Sequence, residues 1–238
     1  MYKVVWIVRF RPELGDEAAR QRWRGAHAEL GRAVPGVERY VQNHPTTSLG
    51  ALGVEPGRPH FDGYACVWFR DRSSYEAAVG SPEWEAMADD AAELLDIDAL
   101  SSMHAAVEEH TIIDGDMGPF KAVWMVRFRD EIRADAGLSR EAHQYWTSTH
   151  GGAFGVKVPG IDRYVQNHVR EPLAEDGSLG FDGFSECWFQ DRDAFELAMT
   201  SREWSEMNHD AWNLFDVDWI ITGMSALLDE VTVKNWPV

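Results

Sequence analysis

The chain reads as an α+β fold in which two βαββαβ units, carried in tandem, close on each other as a barrel. Three observations predict it. Long segments recur: Tyr2–Glu13 matches Phe120–Glu131, Val34–His44 matches Val158–His168, Phe61–Arg72 matches Phe181–Arg192, and Ser81–Met87 matches Ser201–Met207. Partners stay about 120 residues apart, the size of a small domain and too long for a solenoid repeat. Within each copy, strand-like alternation and helix-like periodicity follow each other in the same order. The 238 residues then divide into units 1–113 and 120–238, joined by a linker over 114–119 (DGDMGP).

Val4–Arg11 and Ala122–Arg129 alternate and open each unit as a strand. Helices follow over Asp16–Gly31 and Ser139–Phe154, with Ser139 placed to cap the second. Pro35-Gly36 and Pro159-Gly160 turn the chain into a second strand, Arg-Tyr-Val-Gln-Asn-His in both copies. Third strands lie at Gly63–Arg70 and Gly183–Gln190. Helical sequence in two pieces comes next, restarted at Ser81-Pro82 by an N-cap and a first-turn proline. Strands near His104–Ile113 and Ser225–Val233 close the units. The βαββαβ order is the ferredoxin-like arrangement. Its sheet carries helices on one face only, so two fused ferredoxin-like repeats can bury their bare faces against each other. One chain supplies both at high effective concentration. The result is an intramolecular pseudo-dimeric α+β barrel.

Composition narrows the partners. Lys and Arg number 22 against 40 Asp and Glu, a formal charge of −18. Neutralising phosphates needs clustered cations, which argues against nucleic acid and against an anionic membrane surface. No apolar run reaches the ~18 residues of a membrane helix. The opening MYKVVWIVRF reads as a strand, not a signal peptide. Cys66 and Cys187 lack any CxxC or Cys/His spacing, so no metal site is expected. The expected setting is the cytoplasm, with a small-molecule substrate and no cofactor, and with a homodimer of the barrel as an open alternative. Of the eleven Trp, Trp6/Trp124, Trp23/Trp146, Trp68/Trp188 and Trp84/Trp204 pair up. The unpaired Trp212, Trp219 and Trp236 all lie in the second unit.

Several motifs now stand together in each unit. They are Trp23/His27, Pro35-Gly36, Arg39–His44 and Asp62-Gly63, and then Trp146/His150, Pro159-Gly160, Arg163–His168, Asp182-Gly183 and Glu186. In this pattern both halves resemble the EthD family of the dimeric α+β barrel superfamily. The resemblance implies a small-molecule protein of catabolism or of aromatic and polyketide metabolism. Its superfamily includes cofactor-free monooxygenases, lactone isomerases, polyketide cyclases and haem proteins. Fold does not choose among them. Cys66 stands where the pattern has Glu186, so a first-half site that needs this carboxylate is incomplete.

Alternation sorts the strand faces. Phe184, Glu186 and Trp188 form the face expected inside the barrel. With Ile161 and Val165 given to the helix side, Tyr164, Gln166 and His168 point inward, as do Tyr40, Gln42 and His44. That set suits proton chemistry. His titrates near neutrality, a Tyr hydroxyl donates to an oxyanion, and a Glu between aromatics has its pKa raised by desolvation. The catalytic candidates are therefore His150, Tyr164, His168 and Glu186. The substrate-binding candidates are His27, Tyr40, His44, Trp68, Asn167 and Trp188. His27 and His150 either reach the cavity over the sheet edge or pack against a backbone group or carboxylate. Asn43 and Asn167 read more readily as turn caps. The loops Pro45–His60 and Val169–Gly180 are long enough for lids.

The expected function is cofactor-independent acid/base catalysis on a small apolar, aromatic, phenolic or polyketide-like metabolite. Isomerase, cyclase and lyase or dehydratase steps all fit, concentrated in the second half. A cofactor-free monooxygenase and a non-catalytic ligand-binding or stress-response protein are the alternatives. A haem protein is a further one, although no sequence feature picks an axial ligand.

Overall fold

The computed structural model describes residues 1–50, 53–54, 59–99, 103–174 and 176–236. The chain begins with β1 (Tyr2–Val8), then α1 (Asp16–Arg22), a π-helical turn (Trp23–His27) and α2 (Ala28–Ala33). Next come β2 (Val37–Gly50), the short β3 (Gly53–Val54), β4 (Gly63–Phe69), α3 (Arg72–Val79), α4 (Pro82–Leu94) and β5 (His104–Ile113). The second half follows with β6 (Phe120–Val126), α5 (Asp130–Arg133), α6 (Ala136–Tyr145) and a longer π-helical stretch (Trp146–Phe154). It continues through β7 (Ile161–Pro172), β8 (Gly183–Phe189), α7 (Arg192–Thr200), α8 (Arg202–Ala211), α9 (Val217–Ile221) and β9 (Ser225–Lys234).

All strand pairings are antiparallel, in the order β2-β4-β1-β5-β7-β8-β6-β9, and β9 pairs back onto β2. The ring of eight is closed, so none of its strands is left as an edge. The joints between halves are β5 on β7 and β2 on β9. Helices cover the outside. Val5, Val41, Ala105, Val123, Phe184 and Ala226, all buried, pack in the lumen, and one end of it keeps a polar cavity of about 470 Å³ lined by Lys3, Lys121, Glu186, Trp68 and Trp188 among others.

Local chemistry accounts for the elements. Ser81 Oγ accepts from Trp84 N at 3.2 Å with Pro82 behind it, and Ser201 Oγ accepts from Trp204 N at 3.0 Å. Replacing Ser201 by Ala is expected to cost about 1 kcal/mol in denaturant unfolding. The second first-turn cap is Asp135, which accepts from Gly137 N and Leu138 N, and not Ser139. Asp135 precedes the helical run by one residue, which is where a cap must sit. Gly36 and Gly160 take φ of 77° and 81°, the left-handed turn that the Pro-Gly pairs foretold. The expected loops are partly strand, since β2 runs to Gly50 and β7 to Pro172. Residues 51–52, 55–58 and 175 of those loops lie outside the described residues.

One expectation about strand faces is overturned. β2 and β7 each carry a bulge near the start, between Val37 and Arg39 and between Ile161 and Arg163. The extra residue reverses the parity of everything after it. Ile161 pairs with Phe189 and faces the helices, but Val165 then pairs with Glu186 and faces the lumen. Tyr40, Gln42, His44, Tyr164, Gln166 and His168 therefore lie under the helices, not inside the barrel. Asn43 and Asn167 take the lumen side instead.

Candidate functional site

Each half has a space between its helices and the outer face of its sheet. In the first half this is a cavity of about 270 Å³. Trp6, Trp84, Met87, Leu95, Tyr40 and Val67 give it apolar walls, and His27 and His104 add ring nitrogens. The volume sits just under the range of about 300–1,000 Å³ usual for small-ligand pockets.

The first-half helix is shaped to present His27. Trp23 is buried beneath it, and its indole presses on Gly63 of β4, where any side chain would collide. The π-helical turn Trp23–His27 swings the imidazole toward α4. There His27 Nδ1 lies 2.8 Å from Asp90 Oδ2. A neutral His27 must then donate from Nδ1, which leaves Nε2 as an acceptor without a partner among the described residues. Burial holds the His27 pKa below its usual value, against the pull of Asp90. Burial also works against the Asp90 carboxylate, but hydrogen bonds from Arg22 and His27 outweigh it and keep its pKa low. The pair is thus a neutral imidazole oriented by a carboxylate, the arrangement of a general base.

The second half repeats the pair with different surroundings. His150 Nδ1 is 2.9 Å from Asp210 Oδ2, and Tyr145 donates to Asp210 Oδ1 at 2.7 Å where Arg22 holds Asp90. His150 and Tyr164 do line one cavity, but it is only about 70 Å³. That is far smaller than the first-half cavity. Phe215 stands where the first half has Leu95, packs edge-on to His150 at 5.4 Å and fills the space with help from Ile220 of α9. Tyr164 accepts from Gln166, and burial pushes its pKa up to about 12.

His168 is not in that cavity. It stacks on Trp146 with ring centroids 4.1 Å apart. Its Nδ1 lies 2.9 Å from His143 Nδ1, and its Nε2 lies 3.1 Å from Gln166 Oε1. Burial holds its pKa down to about 2. With both nitrogens engaged it has no free edge for a substrate proton. His110 packs beside it at 4.5 Å. Among the described residues, no three His, Cys, Asp or Glu are placed to hold a metal ion. His44 sits against Trp23 with neither nitrogen bonded among the described residues, and burial lowers its pKa to about 3.

Glu186 lies on the other side of the sheet, in the lumen, as its strand alternation predicts. Its chemistry is the reverse of the expectation. Lys121 Nζ is 2.6 Å from Oε1, Lys3 Nζ is 3.9 Å from Oε2, and Tyr64 Oη donates to Oε1 at 2.7 Å. Burial raises its pKa, but the two lysines overcome that and hold it down to about 2. It is an ion-paired carboxylate, not a protonated acid. Asn167 accepts from Lys3 at 2.7 Å and Asn43 from Lys121 at 2.7 Å, so these residues are lysine ligands in place of turn caps. Trp68 and Trp188 wall the same lumen, each under a lysine.

A model of the EthD domain matches residues 11–98 and 136–218. The chain belongs to the EthD family. Both matched segments of this EthD protein contain a His–Asp pair, His27/Asp90 and His150/Asp210. No curated protein matches the chain. Among solved structures, it is similar to an anthrone oxidase-like protein, at TM-score 0.59 and 13% identity over 98% of this chain and 92% of that one. It is also similar to a candidate monooxygenase from Fusobacterium nucleatum subsp. nucleatum ATCC 25586, at TM-score 0.52 and 7% identity over 98% and 92%. These likenesses concern the fold. No helix among the described residues is long and apolar enough to cross a membrane.

The sequence reading missed Asp90, Asp210 and His104. Asp90 and Asp210 had a signal, because each lies nine residues after the Ser that caps its helix, in both halves. His104 had none, since Ser225 takes its place in the second half.

Proposed function

We propose that the first-half cavity binds a small apolar aromatic metabolite and that His27, oriented by Asp90, removes a proton from it. The observation that carries this is the unclaimed Nε2 of a paired histidine beside the larger apolar cavity. A C–H or O–H proton of an enolisable or phenolic substrate moves to Nε2, and its bonding pair becomes the enolate or phenolate. Asp90 stays ionised and steadies the imidazolium. The enolate then isomerises, cyclises or eliminates without a cofactor. Units 1–113 and 120–238 are read as fused repeats that have diverged, the second keeping the pair but filling its cavity.

An oxygenase outcome shares the same first step, because a deprotonated activated aromatic can pass electrons to dioxygen. The likeness to an anthrone oxidase-like protein and to a candidate monooxygenase supports keeping it as the second reading.

The test uses 2-tetralone and anthrone as enolisable probes. Wild-type protein is expected to speed exchange of their α-protons for deuterium, followed by NMR under nitrogen. Oxygen uptake in air then separates the two outcomes. Leu95→Phe, which copies the second-half filling, is expected to slow exchange at least about tenfold by shrinking the cavity. Wild-type protein that exchanges no faster than buffer sinks the reading.

A further inference from the structure

The polar cavity at one end of the lumen takes no part in the proton chemistry of the first half. Both halves line it with equivalent residues, Lys3 and Lys121, Arg39 and Arg163, and Glu109 and Glu230. Three of these four cations are neutralised by the protein itself. Lys3 holds Glu109 at 2.9 Å, Lys121 holds Glu186 and Glu230 at 2.6 Å each, and Arg163 Nη1 donates to Asp114 Oδ1 at 2.6 Å. Arg39 differs. Its guanidinium lies 4.9 Å from the Trp68 ring and 5.7 Å from the Trp236 ring. It has no hydrogen bond or ion pair among the described residues. Its Nε is shut off from solvent, so its two terminal amino groups are the part able to meet a ligand.

The other half shows what this side chain takes when the protein supplies it. Ile113 pairs with Tyr164 at the end of β5, and Lys234 pairs with Tyr40 at the end of β9. The next residue is Asp114 in the first case and Asn235 in the second. Asp114 brings its carboxylate to Arg163. Asn235 has none to bring, and its Oδ1 accepts from Trp236 N at 3.0 Å. At two equivalent places, one arginine has a carboxylate from the chain and the other has an amide turned elsewhere. The group that completes Arg39 is therefore a carboxylate from outside the chain.

We infer that the lumen cavity is a second ligand site, which takes a small monocarboxylate with an apolar body and pairs its carboxylate with Arg39. This inference stands apart from the first-half cavity and its histidine. A guanidinium matches a carboxylate through two parallel hydrogen bonds. About 470 Å³ lies within the range of about 300–1,000 Å³ usual for small-ligand pockets. Val41, Val165, Met117 and Trp188 give the space apolar surface for the rest of the molecule. One negative charge is the limit. Glu109, Glu186 and Glu230 already share Lys3 and Lys121, and the exposed Asp116 adds a further carboxylate to the lining. A polyanion such as phosphate meets their repulsion.

Calorimetry with benzoate, benzamide and inorganic phosphate tests this. Wild-type protein is expected to bind benzoate at least about tenfold more tightly than benzamide, its neutral isostere, and than phosphate. Asn235→Asp, at an exposed position, copies the second half and gives Arg39 a carboxylate from the chain. It is expected to weaken benzoate binding about tenfold or more. Arg39→Gln is expected to weaken it as much by removing the cation; if that variant does not fold, Asn235→Asp still decides. Benzoate that binds wild type no more tightly than benzamide or phosphate overturns the inference. So does benzoate binding that is undiminished in Asn235→Asp or in Arg39→Gln, which would place the probe elsewhere in the protein.

Discussion

Replacing His27 by Phe is expected to slow α-proton exchange on 2-tetralone by ~10²–10⁴-fold, the usual contribution of a positioned general base. Phe keeps a ring on the buried π-helical turn, so the fold should survive, with circular dichroism as the check. Asp90→Asn should act in the same direction, because an amide no longer holds the ring with Nδ1–H toward it and no longer stabilises the imidazolium. The pH dependence has a definite sign. The base works when neutral, and burial holds the His27 pKa below 6.5. The rate should therefore stay level as pH falls through 6.5 and drop only at more acid values. Arg22 lowers the His27 pKa through its charge and occupies the same carboxylate, so Arg22→Tyr, the second-half arrangement, should move that drop upward in pH. An unchanged rate in His27→Phe, or a larger loss in His150→Phe, would move the chemistry out of the first half.

That first-half placement is where the sequence and the structure part most usefully. The repeat was legible because identical segments need no physics to detect, and the barrel follows from two half-covered sheets. The third-strand faces were legible too, since β8 has no bulge and Phe184, Glu186 and Trp188 alternate cleanly into the lumen. The second-strand faces were not. A bulge at residue 38 or 162 adds one residue without a sequence mark, and parity is then lost for Tyr164, Gln166 and His168. Cavity size was hidden as well. Leu95 and Phe215 are both apolar core residues in sequence, yet their difference helps decide which half has space. Glu186 was placed correctly and read wrongly, because nothing in its own strand shows that Lys3 and Lys121, each on the first strand of its half, reach it.

That lysine arrangement gives the other large effect. Lys121→Met is expected to cost about 3–5 kcal/mol of stability, because among the described residues it leaves the buried Glu186 with only the more distant Lys3 as a cation. Adding Glu186→Gln to Lys121→Met should then recover part of the loss, since the stranded charge is removed while the amide still fits beside Tyr64. Lys3 keeps Glu109 at 2.9 Å throughout. The pH dependence follows from the same pair. The Glu186 pKa is depressed from 4.5 to about 2, so its stabilising contribution is full above 4.5 and is lost as pH falls toward 2. Lys121→Met should flatten that acid limb, because the main attraction that depresses the pKa is gone. Only one half contributes a carboxylate here. A second one at Cys66 would face Glu186 across the lumen and compete for the same two lysines, and burial keeps the Cys66 thiol neutral by pushing its pKa up to about 12. A double variant no more stable than Lys121→Met alone would mean that lost packing, not a stranded charge, sets the cost. The lumen cluster would then be a passive filling between the halves, with no electrostatic part in holding them together.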